Sequence, residues 1–195
     1  MSETTKPAPV PLVDLKAAHA ETDAEVRAGF DRVLATGAFV LGPEVRAFEE
    51  EFAAFCEVRH CVGVSSGTDA LELVLRAGGV GPGDEVIVPV NTFIATATAV
   101  SRTGATPVFV DCDAESLLID PERVAARITD RTKALMPVHL YGQVAPMQPL
   151  VDLARDRGLL LFEDNAQSQG ARQDGRVSGS FGLAAATSFY PGKNL

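Results

Sequence analysis

From residue 60 onward, two hydrophobic periodicities alternate along the chain. Short apolar runs rich in β-branched residues stand at HCVGV (60–64), EVIVP (85–89), PVFVD (107–111), KALMPVHL (133–140) and LLLFED (159–164). Between them, apolar positions recur at helical spacing in DALELVLRAG (69–78), TFIATATAVSR (92–102), PERVAARI (121–128) and PMQPLVDLARDRG (146–158). Strand and helix in alternation predict an α/β fold, with a mostly parallel sheet and helices on both faces. The punctuation agrees: GPGDE at 81–85 is a turn before a strand, and Pro121 and Pro146 fall where a first helical turn tolerates proline. Residues 14–35 and 43–57 instead read as two amphipathic helices broken by TGAFVLGP. The polar, proline-rich MSETTKPAPVP reads as neither signal peptide nor helix, so residues 1–12 are expected to form an arm and 13–195 one large domain.

Composition narrows the functional classes. A hydrophobic content of 46% with 22% charged residues excludes wholesale disorder. The net charge of -9 argues against nucleic acid and anionic membrane surfaces, which call for basic patches. No apolar run approaches the roughly 20 residues of a membrane span. Cys56, Cys61 and Cys112 form no CxxC pair and suit a reducing cytoplasm. CEVRHC sets His60 beside two cysteines, but a zinc site needs about four ligands and none follow at usable spacing, so no metal is expected.

In open α/β sheets, ligands bind where loops leave the carboxyl ends of the strands. Four such places carry candidate chemistry. In VGVSSGTDALELVL, Ser66, Gly67 and Thr68 open a helix whose first N–H groups suit a phosphate, although Ser66 with Asp69 also fits a capping box. In VNTFIATATAV, Phe93 is either core or a flat surface for a planar ring. In LLLFEDNAQSQGA, a buried strand delivers Glu163 and Asp164, with Gln167 close behind. A carboxylate there needs a partner, either a cap, an arginine or a cationic ligand nitrogen. Alternation along the strand favours Asp164 over Glu163. In TSFYPGKNL, Pro191 and Gly192 restrain the backbone, Ser188 suits an anion, and a desolvated Lys193 would suit carbonyl chemistry. Pyridoxal phosphate has a complementary part for each of the four: a phosphate, a planar ring, a basic ring nitrogen and an aldehyde.

The same stretches resemble the DegT/DnrJ/EryC1/StrS family of nucleotide-sugar aminotransferases, which are pyridoxal-phosphate enzymes of fold type I. The likeness runs from PLVDLKA through FVLGPEVRAFEEEFAAFC, VGVSSGTDALELVLRA, GPGDEVIVPVNTFIATATAVSRTGATPVFVD, PVHLYGQ and EDNAQSQGA to SFYPGKNL. The resemblance implies that Lys193 carries the cofactor as a Schiff base and then shuttles a proton. It implies Asp164 at the pyridine nitrogen, Gln167 at the phenolic oxygen, Phe93 against the ring, and Ser66, Gly67, Thr68 and Ser188 around the phosphate. It further implies a cytoplasmic homodimer that moves an amino group, usually from glutamate, to a keto group of a nucleotide-linked sugar. VHLYGQ at 138–143 resembles members acting at sugar C3, on dTDP-3-oxo-6-deoxyhexoses.

Three positions depart from the family pattern: Gln169 for a frequent histidine, Asn165 for alanine or cysteine, and Leu183 for a common aspartate. Lys193 argues against the dehydratase branch, which has histidine there. Family members continue well past this lysine, so the chain reads as the N-terminal part of a large domain, expected to retain cofactor poorly if nothing follows. Two other readings remain. A truncated, non-catalytic paralogue would pair with a full-length partner. An α/β-hydrolase would use Ser65 in GVSSG with Asp111 and His139, an order that matches the triad, though no HGGG-like loop precedes the serine.

Overall fold

The computed structural model describes residues 10–193, so the expectations for residues 1–9 lie outside the described residues. The chain divides into two compact units, one ending at Arg46 and one beginning at Ala47. The first holds helix α1 (Leu15–Thr36) and the start of α2 (Pro43–Phe55). Asp14 caps α1, its carboxylate accepting the Lys16 and Ala17 N–H groups at 3.1 Å each.

The second unit follows the alternation in the sequence: α3 (Gly67–Ala77), β1 (Glu85–Pro89), α4 (Ile94–Thr103), β2 (Thr106–Val110), α5 (Pro121–Arg127), β3 (Thr132–Leu135), α6 (Met147–Arg157) and β4 (Leu160–Asp164). A two-residue hairpin, β5 (Arg172–Gln173) and β6 (Arg176–Val177), precedes β7 (Ala184–Ala186). The other five strands form one parallel sheet in the order β2-β1-β3-β4-β7, and β5 and β6 pair antiparallel apart from it.

Side-chain alternation divides the core into two layers. Val86, Val88, Ala134, Met136 and Phe162 pack with Leu71, Leu75, Ala95, Ala99 and Val100 from α3 and α4. Ile87, Leu135 and Leu161 pack with Val124, Met147, Leu150 and Ala154 from α5 and α6. Both faces of the sheet are therefore covered, and every residue of β1 is buried. The same alternation continues to the end of β4, sending Glu163 and Asp164 to opposite faces.

Two expected strands differ from the structure. Residues 60–64 run without a ladder: Val62 and Val64 are exposed, and the Gly63 N–H goes to Glu49 Oε1 at 2.7 Å instead of a strand carbonyl. Residues 133–140 hold strand form only as far as Leu135; the Met136 N–H still reaches the Ile87 carbonyl at 2.9 Å, but Pro137 has no N–H to donate. Beyond it a single bridge joins Val138 to Asp164, and Leu140–Gly142 forms a 3-10 turn.

Candidate active site

The carboxyl ends of β1, β4 and β7 and the start of α3 open onto one broad cavity of about 1830 Å³. Its walls include all eight residues singled out in the sequence: Ser66, Gly67, Thr68, Phe93, Asp164, Gln167, Ser188 and Lys193.

The phosphate side is built by close approach. Ser66 caps α3, its Oγ accepting the Asp69 N–H at 3.1 Å, while the helix geometry leaves the Gly67 and Thr68 amides without intrahelical carbonyls. A Cβ at Gly67 would stand 2.8 Å from the Ser188 Cβ, so only glycine lets the segment after β7 lie against this helix start. Gln169 fixes that segment from behind, donating Nε2 to the Ser188 carbonyl at 2.9 Å. Its Oε1 is buried without a hydrogen-bond partner.

Asp164 is buried at the end of β4. Its Oδ2 accepts the Thr96 hydroxyl at 2.7 Å, and its Oδ1 accepts the Ala166 N–H at 3.2 Å. Burial pushes its carboxyl above the usual aspartate range, opposed by these two donors and by the Lys193 ammonium. Lys193 lines the same cavity, held in a turn by its N–H on the Tyr190 carbonyl at 2.8 Å. Lys193 and the acidic end of β4 therefore border one cavity. Gln167 Oε1 accepts the N–H of Tyr141, a residue in the left-handed region with φ 58°. Phe93 is 64% exposed at the start of α4, outside the core.

Glu163 turns to the other face. Its two oxygens accept three N–H groups, from His139 Nε2 at 2.9 Å, Gly179 at 2.8 Å and Gly182 at 2.6 Å. His139 Nδ1 accepts the Ala145 N–H at 3.0 Å, so its ring proton sits on Nε2. These contacts dissolve the hydrolase triad. His139 is spent on Glu163, Ser65 donates to Asp69 Oδ2 at 2.5 Å, and the exposed Asp111 faces Arg123 at 3.7 Å.

Sequence reasoning missed Thr92 and Thr96. They stand four apart around the first turn of α4, with their hydroxyls 2.7 Å from each other. That spacing was the available signal. No cluster of histidine, cysteine and acidic groups suited to a metal occurs among the described residues.

The family model for the DegT/DnrJ/EryC1/StrS aminotransferase family matches residues 20–195. The chain belongs to this family. It is 54% identical over its full length to a dTDP-3-amino-3,4,6-trideoxy-alpha-D-glucose transaminase of Streptomyces venezuelae, covering 52% of that protein. The crystal structure of S. venezuelae DesV in complex with a ketimine intermediate superposes with a TM-score of 0.93 at 56% identity, over 95% of this chain and 50% of that one. NtdA of Bacillus subtilis, solved with bound cofactor PMP, gives 0.90 at 33% identity, over all of this chain and 44% of that one. The chain thus spans about half the length of the relatives it matches. Of the three departures from the family pattern, Asn165 is buried and bonded to Ser168. Gln169 holds the Ser188 carbonyl, and Leu183 is exposed on the cavity wall.

Proposed function

We propose that the protein is a pyridoxal-phosphate-dependent aminotransferase that moves an amino group from an amino acid, glutamate, to a keto carbon of a nucleotide-linked sugar. The observation that carries the reading is the shared cavity. It joins a buried carboxylate, a lysine whose charge acts on it, and a glycine-lined helix start pressed against Ser188. These groups fit the cofactor's parts. A buried aspartate at a strand end suits a cationic ring nitrogen, and a helix start flanked by hydroxyls suits a phosphate.

When bound, pyridoxal phosphate supplies a carbonyl for amines and an electron sink. The chain's residues do the rest. Ser66, Gly67, Thr68 and Ser188 would hold the phosphate, and Phe93 would offer a flat surface to the ring. Asp164 would keep a proton on the ring nitrogen, Gln167 would face the phenolic oxygen, and the Lys193 amine would hold the cofactor and serve as the acid and base beside it. The named Streptomyces relative supports a dTDP-linked 3-oxo-6-deoxyhexose as substrate. The working protein is a homodimer in the cytoplasm; no described helix is long and apolar enough to cross a membrane.

The test is amine transfer from glutamate to a panel of nucleotide-linked 3-keto and 4-keto sugars. It is paired with borohydride reduction, which should fix the cofactor on Lys193. Transfer to 3-keto substrates is expected. Preference for 4-keto sugars would overturn the C3 assignment, and a colourless protein that borohydride leaves unlabelled would overturn the cofactor.

A further inference from the structure

Asp164 meets the cavity at the end of a chain of hydroxyls. Thr92 Oγ1 lies 2.7 Å from Thr96 Oγ1, which lies 2.7 Å from Asp164 Oδ2. We propose that Thr96 positions the Asp164 carboxylate for a cationic ligand nitrogen, as the middle member of a one-way hydroxyl relay that begins at Thr92. The inference rests on the reading of Asp164 given above and extends it to two residues with no assigned role.

The direction of the relay follows from proton counting. An ionised carboxylate only accepts, and a threonine hydroxyl has one proton. Thr96 therefore gives its proton to Asp164 and offers Thr92 only lone pairs, so Thr92 donates. Thr92 lines the cavity, while Thr96 is fully buried among the residues of α4 that pack on the sheet. A charge-assisted bond from a buried hydroxyl is stronger and more directional than a neutral one. With the Ala166 N–H on the other oxygen, it fixes the rotation of the carboxylate about its own axis.

No other titratable group on the adjoining elements substitutes for it. Glu163 points to the opposite face of β4, His139 Nε2 is given to Glu163, and Lys193 lines the cavity and acts on Asp164 through its charge. The fold places Thr96 here for local reasons: α4 begins immediately after Phe93, and its first turn brings the Thr96 hydroxyl to the carboxylate at the end of β4.

Packing alone would also put a β-branched residue at this position, and valine keeps that shape. The experiment is therefore done on the holoprotein loaded with pyridoxal phosphate labelled with nitrogen-15 in the ring, following the ring-nitrogen signal against pH. In the parent protein the ring nitrogen should be protonated, and in Asp164→Asn it should not. Should the parent signal be neutral, or Asp164→Asn leave it unchanged, the reading of Asp164 itself fails.

Given that difference, Thr96→Val, which frees the carboxylate to rotate off the ring nitrogen, should lose ring protonation about one pH unit lower than the parent. Thr96→Ser should restore the parent curve. A Thr96→Val curve that overlays the parent, or that Thr96→Ser matches, would overturn the positioning role. Thr92→Val leaves the Thr96 bond in place and supplies a second reading if Thr96→Val does not fold. It should shift in the same direction by less, and no shift would overturn the relay.

Discussion

His139 Nε2 donates to Glu163 Oε2 at 2.9 Å, and both side chains are fully shielded from solvent. Glu163 also binds the Gly179 and Gly182 N–H groups, so one carboxylate ties the 139–145 turn to the 179–182 loop on the cavity wall. Glu163→Gln puts an amide NH2 against an N–H donor whichever way it turns. In place of Oε1 it meets Gly182, and in place of Oε2 it meets Gly179 and His139. A change of His139 tautomer does not help, because Nδ1–H would then face the Ala145 N–H. The substitution should cost about 2–4 kcal/mol of stability, measured by urea unfolding. A loss below about 0.5 kcal/mol would mean that the carboxylate is not the tie.

Much of the sheet was legible because buried parallel strands read as short apolar runs, and β1 and β4 sit where those runs stand. β7 was not legible. It is three alanines, a residue with little strand preference, and its pairing with β4 comes from packing that sequence periodicity does not show. The hairpin β5–β6 carried a signal that went unread, since Asp174 and Gly175 both take positive φ in a DG turn. At the site, residues that follow strand ends stood out. Thr96 did not: its spacing from Thr92 marks a hydroxyl pair, but nothing local shows that the pair faces Asp164 across the fold.

Asp164 should make the cofactor-free protein less stable as pH rises. Its folded carboxyl is raised above the ordinary value of 3.8 by burial, so the folded chain holds a proton that the unfolded chain releases. Stability is therefore highest below the ordinary aspartate value and falls as pH climbs through the raised one. Asp164→Asn removes this dependence. Its Tm advantage over the parent should appear only above that window, and adding cofactor should reverse it. A pH-independent difference would show that Asp164 carries no buried charge.

Gly67→Ala separates binding from folding. The added methyl stands 2.8 Å from the Ser188 Cβ and 3.2 Å from its Oγ, so the segment carrying Ser188 must move away. Alanine is also the better helix former by about 1 kcal/mol, which offsets part of the strain. Affinity for cofactor should fall about tenfold or more while the unfolding midpoint changes little, the lost affinity corresponding to one phosphate hydrogen bond to a charged group. Equilibrium dialysis of pyridoxal phosphate against both proteins checks it, and unchanged affinity would remove Gly67 from the cradle.

Glu85 sets the opposite acid limb. At the start of β1 its Oε2 accepts the Thr129 hydroxyl at 2.6 Å and its Oε1 accepts Arg131 Nε at 2.9 Å. The Thr129 bond first, then Arg131, holds its carboxyl below the usual glutamate range. A depressed carboxyl contributes stability above the unfolded value of 4.5 and loses it as pH falls through the folded one. The contact also sits where β1 and β3 change register, Glu85 pairing with Thr132 and Val86 with Ala134. Glu85→Gln should therefore lower Tm at neutral pH, with the gap to the parent closing as the solution is acidified. For Asp164→Asn the gap opens with rising pH and has the other sign. Thermal melts of both variants across the acid range separate the two carboxylates, and a Glu85→Gln gap that persists at low pH would assign its effect to packing instead of charge.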